Sequence, residues 1–265
     1  MNTLHSASGP VDRTVVVTRV AEHQWHALED DQVVGRGEAV RRPDGRLFVG
    51  VDSWHEPVFR KLAAAMLAEL PRPLFTVVDE GDDDLTAAWL VAGFSIGRRE
   101  RGYVLPTDPR VSGLASVGPP SGVRIVPAGA ADTDALRALD SVIRAEIAAT
   151  VGWQTMPVEV LHRPHGILAE DLPKFVVAAQ GTEYVGLVRL VTATRQPRIG
   201  LLAVRADHRR RGIARALLAH VLGDLHVRGT AAAWAEINEA NTAAAALVEG
   251  AAARHTSTNL ELVHQ

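Results

Sequence analysis

The stretch from Val204 to Val221 most constrains the fold, because it joins an apolar strand pattern directly to an amphipathic helix pattern. The apolar run that ends at Val204 enters a short polar turn, and His208, three consecutive arginines and Gly212 follow. Ile213, Leu217 and Val221 then recur at i, i+4 and i+8, which places them on one helical face. The pattern predicts a strand that leads straight into the N-terminus of a helix.

This turn has the properties of a binding site for phosphate groups. The first N–H groups of a helix have no partner within the helix, and the helix dipole adds a positive potential there. Gly212 carries no side chain, so an anion can approach the backbone closely. The alternative is a basic first turn on a surface helix. Basic residues oppose the dipole at that end, so an unliganded helix gains nothing from them. We therefore predict that residues 209–215 bind a pyrophosphate group.

The second half of the chain predicts the order strand, helix, three strands, helix, strand, helix, strand. Asp132 and Asn241 precede two of the helices as candidate N-caps. The order predicts an α/β (α+β) fold with a mixed, mostly antiparallel sheet and helices on both faces. The predicted strands are 123–126, 175–179, 184–192, 198–205, 230–237 and 259–263, and the predicted helices are 132–149, the one after Gly212, and 242–251.

The first half, residues 1–105, predicts a smaller domain. Its pattern indicates strands at 14–18, 25–29, 33–41, 46–52 and 74–78, helices at 56–70 and from 84 to 92, and a closing strand or hairpin at 94–105. Residues 106–122 are rich in Pro, Gly and Ser without periodicity, which favours a linker. The second domain then covers residues 123–265.

Composition excludes several classes of function. The net charge is −3, so there is no overall basic field to attract nucleic acid or an anionic membrane. The chain has no cysteine, which excludes disulfides, thiolate zinc sites and cysteine nucleophiles. His162 and His165 lie in a Pro-containing stretch without a carboxylate at metal-ligand spacing, so no metal is predicted. The N-terminus lacks an apolar signal segment, and we expect a cytoplasmic protein.

The element order and the signature Arg209-x-x-Gly212-x-Ala214 resemble the GNAT superfamily of acetyl-CoA-dependent N-acetyltransferases. In that family the pattern Q/R-x-x-G-x-G/A begins the helix after the fourth strand. The segment from Asn241 to Leu247 is similar to the family's N-x-x-A-x-x-L helix. The resemblance covers roughly residues 122–265 and implies acetyl-CoA as co-substrate, with no metal.

The resemblance also implies where acetyl-CoA binds. The strand end offers backbone groups to the pantetheine arm, and the turn offers N–H groups to the pyrophosphate. The residues expected to bind the co-substrate are Leu202, Ala203, Val204, Arg209, Arg210, Arg211, Gly212, Ile213, Ala214, Arg215, Asn241 and Ala244.

Catalytic groups are predicted less directly. Glu236 lies five residues before Asn241, the position of the glutamate in GNAT enzymes that acetylate protein N-termini, which implies a general base. The alternative is a strand carboxylate without a catalytic role. Many family members carry a tyrosine seven residues after that asparagine as general acid, but Val248 stands there. Tyr103, Tyr184 or a solvent proton are the open substitutes.

The family selects its acceptor mainly with the first helix and the loop that follows, here roughly residues 140–165. Glu146, Trp153 and His165 are the predicted acceptor-binding residues, although Trp153 is also a candidate core residue. The expected acceptor is a small-molecule or peptide amine, with no nucleic acid or membrane partner. We expect a monomer or a homodimer.

Two functions follow from these features. The first is an N-acetyltransferase in which a primary amine attacks the thioester directly; the alternative is a non-catalytic, regulatory acyl-CoA-binding protein, which Val248 and Ala252-Ala253 favour. The first half resembles a truncated, degenerate GNAT module, as in tandem GNAT proteins. Its segment Val51–Pro57 lacks a glycine where the phosphate turn would be. The alternative is an α/β domain without kinship.

Overall fold

A computed structural model describes residues 15–42, 44–150, 167–192 and 196–265. The chain forms two compact units. The first comprises residues 1–78, 82–97 and 262–265, and the second comprises residues 79–81 and 98–261.

The first unit contains a sheet in the strand order β1-β2-β3-β4-β5. Neighbours from β1 to β4 are antiparallel, whereas β4 and β5 are parallel on either side of a helix. The elements are β1 (Val16–Ala21), β2 (Gln24–Glu29), β3 (Gln32–Arg41), β4 (Leu47–Asp52), α1 (Glu56–Glu69), β5 (Leu74–Asp79) and α2 (Asp83–Val91).

Helix α1 packs closely on this sheet through the apolar stripe that its sequence predicts. Leu62 and Met66 are almost fully buried. A Cβ atom at Gly37 of β3 would lie 2.5 Å from the Met66 sulfur, so only glycine permits this approach. Phe59 of α1 meets Trp89 of α2 edge to face, with 4.9 Å between the ring centroids. The two helices therefore share one core.

The second unit follows the predicted order of strands and helices. Its elements are most of β6 (Ser95–Pro106), β7 (Val123–Val126), α3 (Thr133–Ala149), β8 (Phe175–Gln180), β9 (Glu183–Val191), β10 (Arg198–Val204), α4 (Ile213–Val227), β11 (Ala232–Asn238), α5 (Thr242–Glu249) and most of β12 (Arg254–His264). Short 3-10 helices span Ala169–Lys174 and Ala206–His208. Strand β12 begins five residues earlier than its apolar pattern indicates.

The strands of this unit lie in the order β12-β6-β11-β10-β9-β8-β7. The pairs β7–β8, β8–β9, β9–β10 and β6–β11 are antiparallel, and β10–β11 is parallel. Leu217 and Leu218 of α4 are buried against one face, and Leu136 and Leu139 of α3 against the other. The predicted α/β fold with a mixed, mostly antiparallel sheet flanked by helices is confirmed.

Strand β6 has a different partner from the one that its place in the sequence suggests. It was predicted to close the first half, but it pairs with β11 from Asn238↔Glu100 to Ala232↔Pro106. Residues 106–122, predicted as a linker, also belong to the second unit, where Leu114 is 4% exposed in the core. The division between the compact units therefore differs from the predicted boundary at residue 105.

Candidate functional site

Strands β10 and β11 separate soon after they meet. Their register contains one pair, Arg198↔Trp234. Along its other edge, β10 stays paired with β9 as far as Val204, with an irregular register around Gly200. Such a bulge bends the bulged strand and increases its twist. Within the described residues, the edge of β10 that faces β11 is therefore left without a strand partner up to Val204.

The turn after β10 presents backbone donors. Gly212 is the N-cap of α4 with a φ of 83°, and Arg210 also adopts a positive φ of 62°. The first backbone bond of the helix runs from the N–H of Ala216 to the carbonyl of Gly212, at 3.0 Å. Within the described chain, the N–H groups of residues 210–215 donate to no acceptor. Together with the dipole of the 15-residue helix, they form the kind of site that binds phosphate.

The arginines of this turn have different roles. Arg209 donates to the carbonyl of Val204 at 3.0 Å and to Glu146 at 2.7 Å, so its guanidinium holds the turn to the strand end and to α3. Arg211 donates to the carbonyl of Asp207 at 2.8 Å. Arg210 and Arg215 are exposed and make no ion pair within the described part of the chain. These two side chains are therefore available to bind an anion.

Glu146 of α3 contacts the turn after β10. Its two carboxylate oxygens accept from the N–H of Ala206 at 2.9 and 3.1 Å, and one of them also accepts from Arg209. The carboxylate thus organises the predicted phosphate turn. Of the other predicted acceptor-binding residues, Trp153 and His165 lie outside the described residues.

We expect a Glu146→Ala variant to bind acetyl-CoA about tenfold more weakly, because hydrogen bonds to a charged group contribute about 1.5–3 kcal/mol. Isothermal titration calorimetry would measure the change in Kd. Asp134→Ala is the control: this carboxylate lies on the same helix in an exposed ion pair with Arg137. If Kd is unchanged while the melting temperature falls, Glu146 stabilises the unit without organising the turn.

Glu236 lies on the face of the sheet on which α3 packs. Side chains alternate along β11, and its neighbours Ala235 and Ile237 are buried in the core beneath α4. One oxygen of Glu236 accepts from Arg198 at 2.5 Å and the other from Asn259 at 3.1 Å. Both oxygens of the predicted base therefore already bind donors.

The same face carries further charges, and we call Glu100, Glu236, Glu261, Arg98 and Arg198 the charged cluster. An Nη atom of Arg98 lies 3.1 Å from Glu100 and 3.5 Å from Glu261. The contact with Glu100 is an ion pair at a geometry outside that of a hydrogen bond. Burial raises the pKa of Glu100, the charges of Glu236 and Glu261 raise it further, and Arg98 and Arg198 oppose the rise.

The sequence analysis missed Glu100. It lies in the run Arg98-Arg99-Glu100-Arg101, where charges at consecutive positions show no alternation, and its strand was predicted in the other half of the chain. Only the pairing of β6 with β11 brings Glu100 onto the face that carries Glu236.

Comparison with known proteins identifies the family of this region. Residues 140–250 match the model of the acetyltransferase (GNAT) family. This part of the chain is a GNAT domain. Over 48 residues the chain is 46% identical to the [ribosomal protein bS18]-alanine N-acetyltransferase of Escherichia coli (strain K12), which covers 18% of this chain and 32% of that enzyme. The chain thus matches about a third of the length of that curated relative.

Solved structures of similar fold include a GCN5-related N-acetyltransferase from Sphaerobacter thermophilus, with a TM-score of 0.61 and 16% identity over 93% of this chain and 81% of that chain. A tandem GNAT protein from the clavulanic acid biosynthesis pathway has a TM-score of 0.62 and 13% identity, over 91% of this chain and 81% of that chain. At such identities the likeness shows the fold alone.

The other predicted residues of the GNAT domain have structural contacts. The side chain of Asn241 caps α5 by accepting from the N–H of Ala244 at 3.1 Å. Val248 is buried in the core. The Tyr103 hydroxyl donates to Glu249 at 2.9 Å, and burial raises the pKa of this tyrosine. The Tyr184 hydroxyl accepts from the N–H of Asp132 at 2.9 Å. These contacts leave the general acid unassigned.

No helix within the described residues is both long enough and apolar enough to span a membrane. No group of three or more His, Asp or Glu side chains among them has an arrangement that could hold a metal ion.

Proposed function

We propose that the protein is an acetyl-CoA-dependent N-acetyltransferase that acetylates a primary amine by direct attack on the thioester. The observation that carries this proposal is the set of N–H groups at residues 210–215 next to the open edge of β10. A pyrophosphate group needs several donors at once, and this turn supplies them. When bound, acetyl-CoA supplies the acetyl group as a thioester.

Residues of the second unit would hold acetyl-CoA. Backbone groups at Leu202, Ala203 and Val204 lie on the edge of β10 that β11 leaves unpaired, where an amide-rich arm can hydrogen-bond. Arg210 and Arg215, which have no ion-pair partner in the described chain, would add charge beside the phosphates. Arg209, Arg211 and Glu146 would keep the turn in shape.

The face that carries the charged cluster would receive the acceptor. A primary amine is cationic at neutral pH, and it must lose a proton before it can attack a carbonyl carbon. The three carboxylates of the cluster would attract such a cation. That Glu236 takes the proton stays a prediction. The acceptor is a small-molecule or peptide amine.

The first unit would bind no coenzyme A. It repeats the arrangement of two parallel strands joined by a helix, with α1 between β4 and β5. Helix α1 nevertheless begins with Glu56 and Pro57 after an N-cap at His55. Proline has no N–H to donate, and a carboxylate in the first turn repels phosphate. We therefore propose a tandem arrangement in which one degenerate module binds no donor.

The competing function is a non-catalytic acyl-CoA-binding protein. Val248 in the position of the family's tyrosine favours it, as does the saturation of Glu236 by two donors. Release of coenzyme A from acetyl-CoA in the presence of an amine panel distinguishes the two functions. The chain has no cysteine, so a thiol reagent reports released coenzyme A without background from the protein.

We expect amine-dependent thiol release together with acetylated product in mass spectrometry. The panel should contain alkylamines, amino sugars, amino acids and peptides with a free N-terminus. Tight binding of acetyl-CoA without thiol release from any amine would favour the binding protein and contradict the enzyme.

A further inference from the structure

Glu100 differs from Glu236 in how well its charge is compensated. Glu236 accepts from Arg198 and from Asn259, so its charge is stabilised by two donors. Glu100 shares Arg98 with Glu261, and its own contact with that guanidinium lies outside the geometry of a hydrogen bond. Glu100 is nevertheless only 8% exposed. A buried and poorly compensated carboxylate favours a proton or another cation.

Glu100 also lies close to the place where the acceptor is expected. In the antiparallel pair of β6 and β11, Gly102 lies opposite Glu236 and Glu100 lies opposite Asn238. Diagonal neighbours on one face of such a pair are about 7–8 Å apart, within reach of a long side chain. Glu100 and Glu236 therefore face the same space beside the opening between β10 and β11.

We propose that Glu100, a residue of the first half of the sequence, takes the proton of the acceptor's ammonium group in the acetyl transfer proposed above. Glu236 then acts as a positioning residue that keeps the Arg198 charge paired. The assignment fits a general rule: a carboxylate whose basicity is raised by burial is well matched to accept a proton near neutral pH. This proposal rests on the proposed function.

The proton balance is complete without any further reactant. The ammonium nitrogen of the acceptor gives one proton to the Glu100 carboxylate and becomes a neutral amine. The amine nitrogen forms a bond to the thioester carbonyl carbon, and the carbon–sulfur bond breaks with its electron pair left on sulfur. The second proton of the nitrogen passes to the thiolate through solvent. Glu100 then returns its proton to solvent.

The test compares the wild-type chain with Glu100→Gln over a range of pH. We expect kcat/KM for the amine to fall about 100-fold, in the range typical of a lost general base, while the Kd of acetyl-CoA stays within twofold. The plot of kcat/KM against pH for the wild type should show a limb from ionisation of the enzyme carboxylate, in addition to the limb from ionisation of the amine. In Glu100→Gln only the ionisation of the amine should remain. Glu239→Gln is the control, since that carboxylate pairs with Arg99 and Arg101 in half-exposed ion pairs.

Thermal melting verifies that the variant folds. A carboxyl group with a raised native pKa stabilises the fold most below its unfolded pKa, and this stability is lost as the pH rises through the native pKa. Glutamine does not ionise, so the Glu100→Gln variant keeps this stability at neutral pH. It should therefore melt at a higher temperature than the wild type at that pH.

Several outcomes would overturn the proposal. Activity of Glu100→Gln within threefold of the wild type, with the same profile, contradicts it. So does a lower activity with an unchanged profile, which indicates a structural role. A wild-type chain that releases no coenzyme A with any amine contradicts the proposed function itself. An active wild type with an unchanged variant contradicts only the role of Glu100.

Discussion

A Gly212→Glu variant is expected to lose acetyl-CoA binding by at least about 100-fold. An L-residue at the φ of 83° is strained, at a cost of about 1–2 kcal/mol. A Cβ atom there would meet only the Pro120 side chain, at 3.9 Å, so the Cβ atom itself causes no clash. Its carboxylate would lie beside the free N–H groups of the turn and would repel phosphate. Isothermal titration calorimetry with acetyl-CoA would measure the loss.

Two further variants separate charge from strain. Gly212→Ala introduces the strain alone and should weaken binding far less. Gly223→Ala is the control on the same helix, where a Cβ atom meets nothing within 4 Å and φ is not positive. It should bind normally and gain about 0.5–1 kcal/mol in the free energy of unfolding. Normal binding of acetyl-CoA by Gly212→Glu would contradict both the acetyltransferase and the non-catalytic acyl-CoA-binding protein. Residual binding at one site per chain would indicate a donor site in the first unit.

A Glu236→Gln variant is expected to lose about 100-fold in kcat/KM for the amine while its Kd for acetyl-CoA stays the same. Glutamine removes the carboxylate that pairs with the largely buried Arg198, and breaking such a pair costs about 3–5 kcal/mol when it is fully buried. Loss of the Glu236 charge lowers the pKa of nearby Glu100 and weakens the attraction for a cationic amine. Steady-state kinetics and calorimetry together would show whether turnover and binding separate.

The pH profile distinguishes this variant from Glu100→Gln. Glu236→Gln should keep the limb that comes from the enzyme carboxylate, moved to lower pH, because Glu100 is still present. Glu80→Gln is the control, since Glu80 pairs with Arg99 in a more exposed ion pair. Full activity of Glu236→Gln would contradict its role beside Arg198. Loss of the carboxylate limb would instead assign the proton transfer to Glu236.

Local patterns predicted most elements of the second unit. The stripe of Leu136, Leu139 and Ile143 indicated α3, and the three residues are buried on one face of that helix. Asn241 was predicted to cap α5 and does so. The turn at Gly212 was predicted as the N-terminus of α4, and Gly212 is the N-cap of that helix. These features depend on residues within one or two turns of each other, so a sequence can specify them.

The contacts of the site side chains could not be predicted in the same way. Arg209 was expected to bind phosphate, but it donates to the strand end and to Glu146, 63 residues earlier in the chain. Glu146 was expected to bind the acceptor, and it accepts from the turn. The sequence showed the charge of each residue. Which partner neutralises that charge depends on tertiary distances.

The sequence by itself determined the strand-turn-helix at Val204–Val221, because hydrophobic period, glycine and helix termini act over a few residues. Tertiary structure alone decided that β6 pairs with β11 and that Glu100 joins Glu236 on one face. Backbone hydrogen bonds between strands do not depend on side-chain identity, so many strands compete for the same edge. The choice is made by burial across the whole unit, which places residues more than 100 positions apart side by side.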